Sequence, residues 1–70
     1  MYCIKFLIGG SPYWLADWAE GDPARTLDKK SARTFKTRKG AKAFRTKIIN
    51  QNQHRYRGLA IDEISKIEKI

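Results

Sequence analysis

The side chains best suited to chemistry are the cations in the middle of the chain. Between Lys29 and Arg57 the sequence contains 11 lysine and arginine residues and no aspartate or glutamate. The whole chain has 15 basic and 7 acidic residues, for a formal net charge of +8. Close like charges repel by roughly a few tenths of a kcal/mol per pair, and an anionic partner relieves that repulsion. The pattern predicts a polyanion-binding surface, with a merely solubilising surface as the alternative.

Eight of these cations are candidate ligands for phosphate groups. They are Arg33, Lys36, Arg38, Lys39, Lys42, Arg45, Arg55 and Arg57. A nucleic-acid backbone is the commonest polyanion that such a patch meets, an acidic protein surface comes next, and a membrane is a distant third. The charge pattern therefore favours binding of DNA or RNA and does not distinguish the two.

Three aromatic residues form a second candidate site, namely Tyr13, Trp14 and Trp18. An exposed ring beside cations can stack on an unpaired base or anchor a protein interface. The simpler interpretation is that Trp14 and Trp18 belong to the core of a small domain. The sequence leaves both interpretations open.

Catalytic and metal-binding patterns are not indicated. Cys3 is the only cysteine and His54 the only histidine, whereas a disulfide or a cysteine zinc cluster needs several thiols. The serines lack the flanking residues of known nucleophile motifs, and the early carboxylates do not have the spacing of a calcium loop. We expect a non-enzymatic protein without a metal or cofactor, with Cys3 buried and His54 facing solvent.

The elements that position these side chains begin with a hairpin. Alternating apolar residues predict a first strand over Tyr2–Ile8, and Gly9 to Pro12 has the composition of a hairpin turn. A second strand is predicted over Tyr13–Trp18 and a loop over Ala19–Lys30. A brief third strand is predicted over Arg33–Phe35, with Phe35 facing inward.

A helix is predicted from Arg38 to about Gln53, with Thr37 as its N-cap. Ala41, Phe44 and Ile48 recur at helical spacing and form its apolar stripe. We expect Arg38, Lys42 and Arg45 to lie on the face turned away from that stripe.

The C-terminal segment has two interpretations. Leu59–Ile64 alternates as a last strand would, and this is the interpretation that we favour. Ile61, Ile64, Ile67 and Ile70 also recur every third residue, which suits a short amphipathic helix.

The predicted fold class is α+β. Residues 1–70 form a single small domain in which an antiparallel sheet of two or three strands packs on one amphipathic helix, followed by a C-terminal strand or short helix. The apolar N-terminal run is too short for a signal peptide or a membrane span, so we expect a cytoplasmic protein. Self-association through a sheet edge is a further possibility.

Short motifs carry one resemblance. Trp14-Leu-Ala-Asp-Trp18, Gly21-Asp22-Pro23 and Ala32-Arg-Thr-Phe35-Lys-Thr37 before a helix resemble small uncharacterised proteins of phages and prophages. The resemblance implies a compact sheet-plus-helix protein from a mobile element, in a host-cell cytoplasm. A phage-encoded modulator that binds a host protein is therefore the alternative to a nucleic-acid-binding module.

The order of three strands and then a helix is similar to AP2-type and integrase arm-binding domains. Those families lay a three-stranded sheet in the DNA major groove and read it with arginine and tryptophan side chains. Here the first two predicted strands supply Lys5, Tyr13, Trp14 and Trp18 but few arginines, and the cations gather later. The architectural likeness does not by itself determine function.

Overall fold

The fold is an antiparallel sheet with one long helix packed on one face and a small hairpin beside the helix. A computed structural model describes residues 1–17, 24–56 and 58–70. Its elements are β1 (Tyr2–Ile8), β2 (Ser11–Leu15), β3 (Arg25–Thr26), a 3₁₀ turn (Lys29–Ser31), α1 (Arg38–Gln51), β4 (Arg55–Tyr56), β5 (Leu59–Ala60), α2 (Ile61–Ile64) and β6 (Ser65–Lys69). The predicted α+β class is confirmed.

The main sheet has four strands in the order β3-β2-β1-β6, and β4 pairs with β5 in a separate hairpin. Gly9 and Gly10 have φ values of 59° and 82°, which glycine adopts without steric cost and which a tight two-residue turn requires. Ser11 consequently pairs with Ile8. The predicted turn is confirmed, but β2 begins two residues earlier than Tyr13 and ends at Leu15, and Trp18 lies outside the described residues.

The third strand is not where the sequence pattern placed it. β3 comes from the segment predicted to be a loop, and Arg25 and Thr26 pair with Leu15 and Trp14. The segment predicted as a strand instead crosses the ends of two strands. Arg33 N donates to Leu15 O at 2.7 Å, while Phe35 forms an isolated bridge with Tyr2. Because its partners lie on different strands, this segment cannot extend one ladder.

The core lies between the sheet and α1. Ile4 and Phe6 alternate on the covered face of β1, and Leu15, Ile48 and Ile61 join them with at most 1% of their surface exposed. Thr37 Oγ1 accepts a hydrogen bond from Gly40 N at 3.0 Å, so the predicted N-cap is confirmed. The apolar stripe is confirmed too: Ala41 and Ile48 are buried, and Phe44 and Phe35 are partly buried against the core.

The C-terminal segment combines features of both predictions. The favoured strand over Leu59–Ile64 is wrong, since only Leu59 and Ala60 are extended there and Ile61–Ile64 forms one helical turn. The strand follows as β6, which pairs antiparallel with β1 so that Ile67 lies opposite Ile4. Ile61 and Ile64 lie on the helical turn and Ile67 lies on the strand that follows. The spacing of three residues persists through both elements because all three side chains pack in or against the same core.

Candidate anion-binding groove

A basic groove runs between α1 and β6. Its volume is about 460 Å³, and its lining residues are Arg38, Lys42, Arg45, Thr46, Ser65, Lys66 and Ile67. Four of these seven residues are cationic and none is acidic. We refer to this set of residues as the groove. It is the place where charges from two different elements converge.

The spacing of residues along the helix explains why three of these cations lie together. Arg38, Lys42 and Arg45 are four and three residues apart, and residues at such intervals lie along one side of a helix. Position in the sheet explains the fourth cation. β6 is an edge strand that pairs only with β1, so its second edge borders the groove and brings Lys66 beside the helix.

Arg45 binds within the protein, contrary to prediction. Its Nε donates to Ser65 Oγ at 2.8 Å, and its Nη2 donates to the carbonyl oxygens of Asp62 at 2.9 Å and Ser65 at 3.3 Å. The side chain is partly buried and flanks the apolar stripe instead of opposing it. Arg45 therefore ties α1 to the start of β6 and fixes the width of the groove, while keeping its charge there.

Arg38, Lys42 and Lys66 are the groove cations that form no ion pair with another described residue. All three are exposed, and the ion pairs found within residues 1–17, 24–56 and 58–70 involve Lys5, Lys29 and Arg33 instead. The Arg38 guanidinium lies 5.7 Å from the Tyr2 ring centroid, so contact with Tyr2 on β1 positions the Arg38 side chain. The groove thus holds fixed positive charge next to solvent.

Lys66 is a residue that sequence reasoning missed. It lies beyond the acid-free stretch, with Glu63 and Glu68 nearby in the chain, so the local charge pattern does not assign it to a basic patch. The register that pairs Lys66 with Lys5 places its side chain on the sheet face away from α1, and it lines the groove only because β6 is the edge strand beside the helix. No sequence signal could have identified it.

The other predicted phosphate ligands are distributed differently. Lys36 and Lys39 are exposed beside the start of α1, and Arg55 is exposed on β4. The Arg33 guanidinium lies 4.4 Å from the Phe44 ring centroid and pairs with Asp17 at a long 3.8 Å. Neither Arg33 nor Arg55 lines the groove, and Arg57 lies outside the described residues. Of the eight predicted phosphate ligands, Arg38, Lys42 and Arg45 line the groove.

The sheet face opposite α1 carries a second group of charges, centred on one acid. We call it the open face, and its charged residues are Lys5 and Glu68, joined by Lys29 from the 3₁₀ turn. Lys66, opposite Lys5, projects from this face too and borders the groove at the edge of β6. Glu68 Oε1 lies 2.8 Å from Lys29 Nζ and accepts a hydrogen bond from Trp14 Nε1 at 3.0 Å. Glu68 Oε2 lies 3.5 Å from Lys5 Nζ. Glu68 therefore forms ion pairs with both Lys5 and Lys29 and neutralises part of the positive charge of this face.

These contacts control the acidity of Glu68. The hydrogen bond from Lys29 is the main cause that lowers the pKa of Glu68 to about 2, with smaller contributions from Trp14 and Lys5. The same bond raises the pKa of Lys29. Burial raises the pKa of the Cys3 thiol, and the charge of Glu68 adds to that effect. The buried state of Cys3 matches the prediction, and so does the exposure of His54.

The candidate aromatic site is divided between the two faces of the sheet. Tyr13 pairs with Phe6 on the covered face, where the Arg25 guanidinium lies 4.8 Å from its ring centroid and donates to Tyr56 Oη at 2.7 Å. Trp14 lies on the open face and is bound to Glu68. Because neighbouring strand residues point in opposite directions, Tyr13 and Trp14 cannot form one stacking platform.

Comparison with protein-family models, with curated proteins and with solved structures found no match for this chain. The resemblance to small phage proteins therefore stays a prediction. No helix in the described part of the chain has the length and apolar character needed to cross a membrane.

Proposed function

We propose that this protein is a non-enzymatic nucleic-acid-binding module that contacts the phosphate backbone through the groove. The observation that carries the proposal is the convergence of Arg38, Lys42 and Arg45 of α1 with Lys66 at the edge of β6, with no acid among the described residues that line the groove. Cations drawn from a helix and a strand can contact successive phosphates, whereas a single lysine could not hold a polyanion in place.

The chemistry of the groove suits phosphate oxygens. The planar guanidinium of Arg38 can donate two parallel hydrogen bonds to one phosphate, and Lys42 and Lys66 act as point charges. Arg45 is already fixed by Ser65 and Asp62, so its charge is presented without further loss of side-chain entropy. Contacts of this kind position a nucleic acid but do not read its sequence.

The first turn of α1 adds to the same field. It contains no acidic residue, although acids are the usual stabilising residues at a helix N-terminus. Lys36 and Lys39 are exposed there instead. The helix macrodipole and these cations both favour an anion, so the positive potential extends from the groove past the start of the helix.

The principal alternative is that the cations only protect the β6 edge. Charged side chains beside an edge strand discourage unwanted pairing with other chains, and Arg45 already occupies the Ser65 carbonyl oxygen. Lysine on the strand itself is a usual device for this protection, however, and β6 carries Lys66 and Lys69. Arg38 and Lys42 on the helix add repulsion along α1 without serving that purpose, which favours a bound anion.

The salt dependence of binding tests the proposal. Four to six phosphate contacts predict that log affinity falls against log salt with a slope of about −3.6 to −5.4 on duplex DNA. Fluorescence anisotropy of a labelled duplex, titrated at about 50 mM and about 200 mM salt, measures that slope. Undetectable binding at the lower salt would refute the proposal and favour a protein partner instead.

A further inference from the structure

None of the described residues that line the groove supplies an aromatic ring on which a base could stack. Apart from its four cations, the groove is lined by Thr46, Ser65 and Ile67. Proteins that bind single strands combine a positive channel with aromatic rings that stack on successive bases. Of these two components, the groove supplies only the positive charge.

Aromatic rings elsewhere in the described residues already contact another ring or a cation. Phe35 packs on Phe44 in a tilted arrangement at 5.2 Å between centroids, and Phe6 packs on Tyr56 at 5.9 Å. Cations lie within 6.0 Å of the remaining ring centroids; the pairs are Arg38–Tyr2, Arg25–Tyr13 and Lys5–Trp14. A base that sought any of these rings would have to displace an existing partner.

The exposed apolar side chains of the described residues also supply no ring on which a base could stack. Within the described ranges, the large hydrophobic side chains that are exposed are Met1, Leu7, Leu27, Leu59 and Ile70. All five are aliphatic. An aliphatic side chain has no π face to match that of a base, so this surface does not replace the missing stacking rings.

The density of phosphate charge distinguishes the two forms of nucleic acid. Arg38 and Arg45 are seven residues apart, which is about 10 Å along a helix axis. A duplex carries about six charges in that length and one of its strands about three. The groove cations are also held on two rigid elements, and a duplex presents its phosphates at fixed positions, whereas a flexible strand must first be ordered.

We propose that the nucleic acid bound by this protein is double-stranded, and that it is held through phosphate contacts without base stacking. This inference rests on the function proposed above and narrows it to a class of ligand. It implies binding that is independent of base sequence, because cations that contact only phosphates carry no base information. A duplex is preferred over either of its strands.

Four labelled probes test the inference: a DNA duplex of about 20 base pairs, an RNA duplex of the same sequence, and one strand of each. Affinity is measured by anisotropy at one low salt concentration. We expect at least one duplex to bind about tenfold more tightly than its own strand, because its charge density is about twice as high. Equal or tighter binding of the strands would overturn this inference alone. Binding of none of the four would overturn the proposed function itself.

Two variants separate charge from stacking. Trp18→Ala removes a ring that lies outside the described residues, and we expect it to leave the affinities for duplex and for single strand unchanged. Lys42→Gln removes one groove charge and should weaken duplex binding severalfold. A selective loss of single-strand affinity in Trp18→Ala would show that a base stacks there, and that result would also overturn the inference. Circular dichroism of both variants confirms that they fold.

Discussion

The groove and the open face both contain clustered cations, yet they differ in one respect. On the open face Lys5 and Lys29 surround Glu68, whose carboxylate also binds Trp14. In the groove, Arg38 and Lys42 of α1 and Lys66 at the edge of β6 have no such acid among the described lining residues. Both regions consist of basic side chains, but one uses an internal anion to hold the fold together and the other presents its charge to solvent. The placement of a single carboxylate therefore decides which cations are paired within the protein and which face solvent.

Reversing one charge in the groove should produce the largest change in duplex affinity. Lys42→Glu removes a phosphate contact and adds a repulsive charge, so we expect duplex affinity to fall at least about tenfold, or about 1.4 kcal/mol. Lys30→Glu is the matched control, since Lys30 is exposed on the 3₁₀ turn and the change in net charge is identical. Equal losses in the two variants, measured by anisotropy, would mean that net charge alone drives binding.

Arg45 connects the two roles, because it carries a groove charge and also holds α1 to β6. Arg45→Lys keeps the charge but loses the fork that reaches Ser65 and Asp62 together. We expect a stability loss of about 1–2 kcal/mol in urea unfolding, with only a small change in duplex affinity. Arg38→Lys is the control, and it should cost less because Arg38 packs on Tyr2 without those hydrogen bonds. Equal costs would contradict the structural role of Arg45.

The ion pairs of the open face predict a smaller, pH-dependent effect. The pKa of Glu68 is lowered from 4.5 to about 2 in the folded protein, so its stabilising contribution is present above the unfolded value. That contribution is lost as the pH falls from about 5 toward about 2. Because Lys29 and Glu68 are partly exposed and solvent screens the pair, we expect this contribution to stability to be small.

Urea unfolding of the wild type and of Glu68→Gln, at about pH 6 and about pH 3, measures this contribution. The stability difference between the two proteins should be present at the higher pH and shrink at the lower one. Glu63→Gln, which removes an exposed carboxylate, provides the control. A difference that stayed constant with pH would show that Glu68 stabilises the fold through packing and not through its charge.

Local patterns predicted a large part of the fold. The alternation of β1, the glycine turn, the Thr37 cap and the Ala41-Phe44-Ile48 stripe depend on neighbours within a few residues, and each is confirmed. The failures involve β3, the segment around Phe35 and the start of β6. Short strands have little intrinsic preference of their own and form where a partner strand offers free hydrogen-bonding groups. That partner is distant in sequence, so local patterns could not identify it.

The amino-acid sequence by itself determined that this protein has an α+β fold with a strongly basic helix, because periodicity and composition are local properties. Only the tertiary structure decided which cations act together. It brought Lys66 to the groove, assigned Arg45 to a hydrogen-bonded tie and neutralised Lys29 with Glu68, 39 residues further along the chain. Electrostatic interactions fall off with distance through space and not along the chain, so the pairing of charges could be seen only once β6 was in place beside β1 and α1.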